Sequence, residues 1–281
     1  MTHATFEHEY LRVLSIAGSD SGGGAGIQAD LKTIAALGCY GMTAVTALTA
    51  QNTQGVRSIH GVPPQILRDQ IDAVMDDIGA HAVKIGMLHS PEIVNVVAEA
   101  IDRHALVNVV LDPVMVATSG AVLIDSPAIA VLVQQLFPRA ALVTPNLDEA
   151  ALLVGRPLQN ADDMEFAANE LLAKGASAVL IKGGHLPGDT VMDLLATGAA
   201  NMHWMKAPRI QSANTHGTGC SLSSAIAAGL ASGKSLVEAV ESARAYVRAA
   251  MLAGATVRTG AGSGPLNHGH APQPARLKRL V

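Results

Sequence analysis

The chain has 281 residues, of which 49% are hydrophobic and 15% are charged, and this balance excludes an intrinsically disordered protein. The formal net charge is −4 and no stretch is strongly basic, so we expect no nucleic-acid partner. No uninterrupted apolar run reaches about 18 residues, and residues 1–12 lack the pattern of a signal peptide, which predicts a cytoplasmic protein with no membrane partner.

Short apolar runs alternate with helix-forming stretches along the chain. The predicted strands are Leu11–Ala17, Thr43–Thr49, Ala82–Ile85, Val107–Leu111, Ala141–Thr144 and Ala178–Ile181. The predicted helices are Ala25–Leu37, Gln65–Ile78, Pro91–Arg103, Pro127–Leu136, Asp162–Lys174, Gly219–Ala231 and Leu236–Ala253. Several strands are apolar at consecutive positions, as expected when helices cover both faces of a sheet. The pattern predicts an α/β fold with a mostly parallel central sheet.

The segment Gly188–Trp204 differs from the rest, because two short β-like runs flank Thr197 and Gly198 with no helix between them. We interpret it as a small antiparallel β hairpin beside a site. No linker interrupts the chain, so residues 1–281 are expected to form a single domain. Residues 1–10 and 266–281 are expected to be flexible ends, and the glycine-rich stretch before the second is either a loop near the ligand or part of that end.

A glycine-rich loop, Gly18–Gly26, lies between the first predicted strand and a helix. Backbone with few Cβ atoms can approach a flat or anionic ligand closely. A dinucleotide fingerprint through Gly24 would need an acidic residue about 20 positions later. The chain has no Asp or Glu between Asp30 and Asp69, which argues against a nicotinamide cofactor. A glycine-rich turn without function stays open.

The stretch Gly229–Ser235 resembles a Walker A loop, but it has three residues between its glycines where the motif needs four. A helix also precedes it where the motif needs a strand. We therefore predict that Gly233 ends the preceding helix in a left-handed conformation and that Ser235 caps the next one.

The segment Asn214–Ser221 precedes a long Ala-rich helix. Gly217 and Gly219 free the backbone to turn its N–H groups toward one point, and the helix adds its positive dipole end. Such a cradle suits a phosphoryl group in transfer, where catalysis is mostly positioning and electrostatic stabilisation. The residue types therefore predict an anion hole.

Cys220 stands at the start of that helix. A thiol at a helix N-terminus is expected to have a lowered pKa, which makes Cys220 a candidate general base or nucleophile. The alternative, which the residues alone leave open, is a small buried side chain that packs the helix.

Two acids and a lysine follow apolar strands. Ligands bind beyond the carboxyl ends of parallel strands, so Asp112 and Glu149 fall where a hydrated Mg²⁺ would meet phosphates. Glu149 has an equal structural interpretation as a first-turn residue of the next helix, where the dipole favours an acid. Lys182 precedes two glycines and offers a cation to phosphate.

These segments occur in the order of one known family. The stretches AGSDSGGGAGIQADLKT, TALTAQNTQGV, VKIGML, LDPVMV, TPNLDEAALL, LIKGGH and HGTGCSLSSAIAAGLA, with GPLNH near the end, closely resemble the hydroxymethylpyrimidine and phosphomethylpyrimidine kinases of thiamine biosynthesis. The resemblance implies a ribokinase-like fold, ATP with Mg²⁺, and a homodimer. It implies phosphorylation of 4-amino-5-hydroxymethyl-2-methylpyrimidine and then of its monophosphate.

The resemblance also implies roles for individual residues. Cys220 is expected to be the catalytic base, and Gln51 suits the ring because its amide both donates and accepts hydrogen bonds. The residues expected around the pyrimidine are Gly18, Ala25, Asp30, Gln51, Met87 and Val114. Those expected at the reacting phosphate are Lys182, Gly217, Thr218, Gly219 and Cys220, with ATP contacts from Lys182, Thr218 and Gly219 and the metal shell from Asp112 and Glu149.

Two other functions compete with this one. A pyridoxal or pyridoxine kinase, or an enzyme with both specificities, would accept a similar ring with a hydroxymethyl arm, and the difference rests on pocket contacts worth about 1–3 kcal/mol. A non-catalytic pyrimidine-binding or regulatory protein would keep the pocket without turnover. The presence together of Cys220, Asp112 and Glu149 argues against it.

Overall fold

The computed structural model describes residues 6–116, 123–124 and 126–280. The strands are β1 His8–Tyr10, β2 Arg12–Asp20, β3 Tyr40–Asn52, β4 Gly55–Gly61, β5 Ala82–Ile85, β6 Val109–Leu111, β7 Leu142–Val143, β8 Val179–Ile181, β9 Thr190–Ala196, β10 Met202–Pro208 and β11 Leu277–Arg279. The helices are α1 Gly26–Ala36, α2 Pro64–Asp77, α3 Pro91–Arg103, α4 Ser126–Leu136, α5 Leu147–Val154, α6 Ala161–Ala173, α7 Thr218–Ala231 and α8 Leu236–Gly254.

One sheet within the described part of the chain contains nine strands in the order β10-β9-β8-β7-β6-β5-β2-β3-β4. The six strands from β8 to β3 run parallel to one another. The outer strands β4, β9 and β10 are antiparallel to theirs. The predicted mostly parallel central sheet is therefore confirmed.

Helices cover both faces of the sheet, as predicted. The side chains of each central strand alternate between two hydrophobic clusters: in β6, Val109 and Leu111 pack on one side and Val110 on the other. Residues of α2 to α6 complete the first cluster, and residues of α1, α7 and α8 complete the second. Burial on both faces explains why these strands are apolar at consecutive positions. In the portion of the chain described, no helix has the length and apolar character needed to cross a bilayer.

The predicted hairpin exists, but its place in the sheet was not predicted. Strands β9 and β10 pair with each other, and β9 also pairs with β8, so the hairpin extends the main sheet instead of standing apart from it. Strand β4 was missed because most of its residues are exposed, which leaves no hydrophobic alternation to detect. Helix α5, which has only eight residues, was not among the predicted helices, although Glu149 was considered as a first-turn residue of a helix at this position.

Short segments of the two predicted flexible ends pair with each other. Strand β1 forms a small antiparallel sheet with β11, and Leu266 and His268 are buried. The expectation of flexible ends stays a prediction, although backbone groups distant in sequence bond to each other here and local composition does not reveal this. Residues 1–5 and 281, also assigned to the ends, lie outside the described residues.

The predicted helix boundary after α7 is confirmed. Gly233 has a φ of 79°, in the left-handed region. The Ser235 hydroxyl accepts a hydrogen bond from the Glu238 N–H, and the Glu238 carboxylate accepts one from the Ser235 N–H. This capping box leaves no phosphate-binding loop at Gly229–Ser235.

Candidate active site

A cavity of about 830 Å³ lies at the carboxyl ends of β2, β5 and β6 and at the start of α7. Its size is within the range of small-molecule sites. Every predicted site residue except Asp30 lines it. Those lining residues are Gly18, Ala25, Gln51, Met87, Asp112, Val114, Glu149, Lys182, Gly217, Thr218, Gly219 and Cys220.

Two register shifts shape one end of the cavity. Strand β2 shifts against β3 between Ala17 and Ser19, and β3 shifts against β4 between Ala50 and Gln51. Such irregularities re-aim side chains beside active sites. A Cβ added at Gly18 would lie 3.1 Å from the Met87 sulfur, so the missing side chain leaves room for Met87 at this end.

Asp20 organises the glycine-rich loop. Its carboxylate accepts hydrogen bonds from the N–H groups of Gly22, Gly24 and Ala25 at 2.8, 3.1 and 2.9 Å, and its Oδ2 lies 3.0 Å from His216 Nε2. Burial raises the pKa of Asp20, but these hydrogen bonds outweigh burial and lower it overall. Asp20 therefore joins the glycine-rich loop to the loop before α7.

Helix α7 begins in the cavity wall. Gly217 precedes its first residue with a φ of 84°, and a Cβ at Gly217 would lie 1.9 Å from the Gly24 carbonyl oxygen. Only glycine permits this close approach of the two loops. The Thr218 N–H donates to the Thr215 carbonyl oxygen at 3.3 Å. The N–H groups of Gly219 and Cys220 belong to the first helical turn, which has no intrahelical acceptor for them, and both residues line the cavity, so the anion hole stays a prediction.

The Cys220 thiol shows the opposite of the predicted pKa shift. Burial raises the pKa of Cys220 to about 11, and the charges of Asp30 and Asp112 act in the same direction. The charge of Lys84 and a hydrogen bond from the Gly26 N–H lower it, without overcoming burial. The prediction from the sequence included the effect of the helix dipole on the thiol pKa. It did not include desolvation of the thiol, which depends on the tertiary structure.

A buried ion pair lies behind Cys220. The Lys84 ammonium donates to both carboxylate oxygens of Asp30 at 3.0 and 2.9 Å, and neither side chain is exposed to solvent. The hydroxyls of Ser15 and Ser224 donate to the same carboxylate at 2.6 and 2.7 Å. Burial alone would lower the pKa of Lys84, but Asp30, Cys220 and Asp112 raise it above its usual value.

The ion pair of Lys84 with Asp30 places both residues differently from the prediction. Asp30 lies behind the cavity wall instead of lining it, so its predicted contact with the pyrimidine stays a prediction that the geometry does not favour. Lys84 does line the cavity and was not predicted. The available signal was a lysine within the apolar strand β5, since a buried lysine needs a partner.

Lys182 lies between the two predicted metal-binding acids. Its Nζ is 2.8 Å from Asp112 Oδ1 and 3.9 Å from Glu149 Oε2. Burial raises the pKa of Glu149, and the charge of Asp112 adds to this while Lys182 opposes it, with a result of about 7. Burial also raises the pKa of Asp112, but the nearby lysines reverse that shift and lower it.

Glu149 also has the structural role considered for it. Its carboxylate accepts from the Asn146 N–H at 2.7 Å, and the Asn146 side chain accepts from the Glu149 N–H at 2.9 Å, which forms a capping box on α5. Across the described ranges, no group of three or more His, Cys, Asp or Glu residues is arranged to hold a metal ion. A cation at Asp112 and Glu149 would therefore take its other ligands from phosphates and water, as Mg²⁺ commonly does.

Residues 20–267 match the family model described as phosphomethylpyrimidine kinase. The chain belongs to the phosphomethylpyrimidine kinase family. The resemblance inferred from the motifs is thereby confirmed, as is the class of phosphotransferase.

Individual relatives support the assignment of this chain to the phosphomethylpyrimidine kinase family. The hydroxymethylpyrimidine/phosphomethylpyrimidine kinase of Rhizobium meliloti is 51% identical over 259 residues, which cover 92% of this chain and 96% of the relative. A thiamine biosynthesis bifunctional protein of Geobacter sulfurreducens is 51% identical over 256 residues, which cover 91% of this chain and 52% of that longer protein. The structure of an ADP complex of Bacillus subtilis pyridoxal kinase has a TM-score of 0.85 and 36% identity, and it covers 92% of this chain and 98% of the kinase. The predicted ribokinase-like fold is confirmed.

In this phosphomethylpyrimidine kinase family member, the loop that follows Lys182 is held by residues that were not predicted from the sequence. The Asp193 carboxylate accepts from the Gly183 N–H at 2.9 Å and from Arg244 Nε at 2.7 Å. The Arg209 guanidinium donates to the carbonyls of Gly184 and Gly188, each at 2.7 Å. These contacts hold the backbone that follows Lys182, and they join elements too distant in sequence for a local motif to reveal.

Proposed function

We propose that the chain transfers the γ-phosphoryl group of ATP to the hydroxymethyl group of 4-amino-5-hydroxymethyl-2-methylpyrimidine and then phosphorylates the monophosphate. The proposal rests on one observation: a single cavity is lined by Gln51, Cys220 and Gly219. The Gln51 amide suits the ring, the Cys220 sulfur can take the hydroxyl proton, and Gly219 at the start of the helix can bind the phosphate. Related proteins that are 51% identical bear the name of this activity.

The ring is proposed to lie between Gly18, Gln51, Met87 and Val114. Met87 and Val114 offer apolar contact, and the glycine lets backbone approach a flat ring closely. The Gln51 amide offers both a donor and an acceptor, which match the ring nitrogen and the adjacent amino group of the pyrimidine.

The phosphates of ATP are proposed to lie at the start of α7, near Lys182. The helix supplies the N–H groups of Gly219 and Cys220 and a positive dipole end, and Lys182 supplies a cation that is paired with Asp112. Apolar side chains line the cavity on the α8 side, where they suit a nucleotide base. These are Leu222, Val247 and Met251.

In the transfer, the hydroxymethyl oxygen forms its bond to the γ-phosphorus while the bond from that phosphorus to the bridging oxygen of ADP breaks. The hydroxyl proton passes to the Cys220 sulfur in its thiolate form. The N–H groups of Gly219 and its neighbours stabilise the charge on the transferred group. Asp112 and Glu149 would hold Mg²⁺ through its water shell, and the bound ion would neutralise phosphate charge.

The proposal is tested by measuring ADP release with the purified chain, Mg-ATP and either the hydroxymethylpyrimidine or its monophosphate. Turnover of both is expected. Failure of the wild-type protein to turn over either compound would refute the proposal. We further propose a homodimer, which light scattering at several protein concentrations would test.

Pyridoxal phosphorylation is the second candidate, because a pyridoxal kinase shares the fold closely. The two rings differ in a few contacts, so a ratio of kcat/KM values of about 10-fold or more in favour of the pyrimidine is expected. A ratio that favours pyridoxal would reverse the assignment.

A further inference from the structure

We propose that Cys220 is a specificity-determining residue for the second phosphorylation: it is a base toward the alcohol, and its neutral thiol form admits the doubly negative monophosphate, which needs no base. This inference rests on the proposed function, because it takes both compounds to be substrates of the same cavity. A carboxylate in place of Cys220 would not combine these two properties.

The two attacking groups differ in the proton that they carry. The hydroxymethyl group keeps its proton at neutral pH, so a base must take that proton as the new bond to phosphorus forms. The second pKa of a phosphate monoester is about 6, so the monophosphate has lost its last proton above about pH 7. A base at Cys220 therefore has a task in the first transfer only.

The second transfer balances without a proton. An oxygen of the monophosphate forms its bond to the γ-phosphorus of ATP, and the bond from that phosphorus to the bridging oxygen breaks, with its electron pair passing to ADP. The Cys220 thiol keeps its proton throughout. What the second transfer requires of position 220 is the absence of negative charge beside the attacking phosphate.

The cations near Cys220 are already paired with acids. Lys84 Nζ lies 2.9 Å from Asp30 Oδ2, and neither of these side chains is exposed to solvent. Lys182 Nζ lies 2.8 Å from Asp112 Oδ1. The two positive charges are thus balanced by two negative ones, and these four side chains have no net positive charge to offset a further anion at position 220.

Glu149 adds to this balance on the negative side. Its Oε2 lies 3.9 Å from Lys182 Nζ, so its charge, when ionised, acts on the same cation as Asp112 does. The charge of a bound Mg²⁺ would be offset by the phosphates of ATP. The site therefore favours a neutral side chain wherever a second phosphorylated molecule has to bind.

The Cys220 side chain meets this condition. It lines the cavity and is partly exposed to it. Burial raises its pKa to about 11, the charges of Asp30 and Asp112 act in the same direction, and the charge of Lys84 opposes them. Lys182 is a further cation that interacts with this group. Near neutral pH the side chain is therefore a neutral thiol, and its charged form is a minor one.

The experiment measures kcat/KM for the alcohol and for the monophosphate with Mg-ATP at about pH 8, in wild type, Cys220→Ala, Cys220→Asp and Cys220→Asn. Cys220→Ala should lose about 100-fold with the alcohol and less than about threefold with the monophosphate. The Asp and Asn variants have the same shape and differ in charge. Relative to Cys220→Asn, Cys220→Asp should be more active with the alcohol and about 10-fold or more less active with the monophosphate, because like charges repel.

Wild type provides a second readout. The ratio of kcat/KM for the alcohol to that for the monophosphate should rise between about pH 7 and pH 10, because the thiolate fraction increases while the monophosphate stays fully ionised. A rise of kcat/KM with pH that comes from the thiolate is thus confined to the alcohol. In Cys220→Ala the same ratio should not depend on pH.

The outcomes separate this role from a structural one. A structural defect at the start of α7 would lower kcat/KM equally for both compounds, so an equal loss in Cys220→Ala would overturn the proposal. Equal activity of Cys220→Asp and Cys220→Asn with the monophosphate would also overturn it. If Cys220→Asp does not fold, Cys220→Ala and the wild-type ratio against pH decide the question.

The proposed function is judged separately, by turnover in wild type. If wild type turns over neither compound, that function fails, and calorimetric dissociation constants of the monophosphate without ATP then test the charge requirement. Binding to Cys220→Asp that is about 10-fold or more weaker than binding to Cys220→Asn supports the proposal. Equal binding to the two variants contradicts it.

Discussion

Burial and the helix dipole act on the Cys220 thiol in opposite directions. The thiol lies in the first turn of α7, where the dipole favours the thiolate, yet loss of solvent raises its pKa to about 11. A base acts only in its deprotonated form. The active fraction of Cys220 in the free protein therefore increases with pH over the whole neutral range.

We expect kcat/KM of the wild-type enzyme to rise with pH between about 7 and 10, because the thiolate fraction rises tenfold per pH unit below the pKa. Cys220→Ala should lose about 100-fold or more in kcat/KM at pH 8. Cys220→Asp should retain more, with a flatter profile, since a carboxylate is already ionised. Measured pH profiles of the three proteins check this, and equal turnover by Cys220→Ala and wild type would exclude the base assignment.

The buried pair behind the thiol permits a second test, because its two members act on Cys220 with opposite sign. The charge of Lys84 lowers the pKa of Cys220 and the charge of Asp30 raises it. Lys84→Met should therefore shift the thiol titration upward, and Asp30→Asn should shift it downward. Each shift is expected to be about one pH unit or more, while both changes reduce stability, since each leaves a buried partner unpaired.

The measurement is the rate of iodoacetamide alkylation against pH in a Cys39→Ala background, which leaves Cys220 as the reporting thiol of the two cysteines in the chain. The double variant Lys84→Met with Asp30→Asn serves as the control without either charge. Shifts of the same sign in both single variants would show a loss of structure in place of an electrostatic effect.

At the scale of elements, the C-terminal segment is held by pairings with segments distant in sequence. The C-terminal segment crosses α1 before it reaches β1: the Gln273 N–H donates to the Ala36 carbonyl at 2.8 Å, and the Leu11 N–H donates to the Arg276 carbonyl at 3.1 Å. The residues of β11 are exposed, so these backbone bonds and not apolar burial hold the segment.

Removing residues 273–281 should lower the free energy of unfolding by about 1–3 kcal/mol, because a net backbone hydrogen bond contributes about 0.5–1.5 kcal/mol. The cavity lies elsewhere, so kcat/KM should change less than twofold. Urea denaturation and steady-state kinetics on the shortened and complete chains check both points. Unchanged stability would show that the paired ends contribute nothing in solution.

For the whole molecule, Glu149 links stability to pH. Its pKa in the folded protein is about 7, above the ordinary value of 4.5. Between these two values the folded state keeps a proton that the unfolded state has released, so the free energy of unfolding falls as pH rises through this window. Above pH 7 the cost of the buried charge is fully present.

Glu149→Gln should remove this dependence, because an amide still accepts the Asn146 N–H and does not ionise. Relative to the variant, the wild type should lose about 2–3 kcal/mol in free energy of unfolding between pH 5 and pH 8. Denaturant titrations of both proteins across this range provide the measurement. Parallel stability curves for the two proteins would contradict the raised pKa.

The sequence alone determined the α/β class, the mostly parallel sheet, the family and twelve of the residues that line the cavity. These rest on short-range signals: consecutive apolar residues for strands buried on both faces, and glycines at the close approach near Gly217. Only the tertiary structure decided the buried pair of Lys84 with Asp30, the contact of Asp20 with His216 and the direction of the Cys220 pKa shift. Each depends on which distant side chains come into contact and on how far they are desolvated. The local sequence around a residue does not determine either.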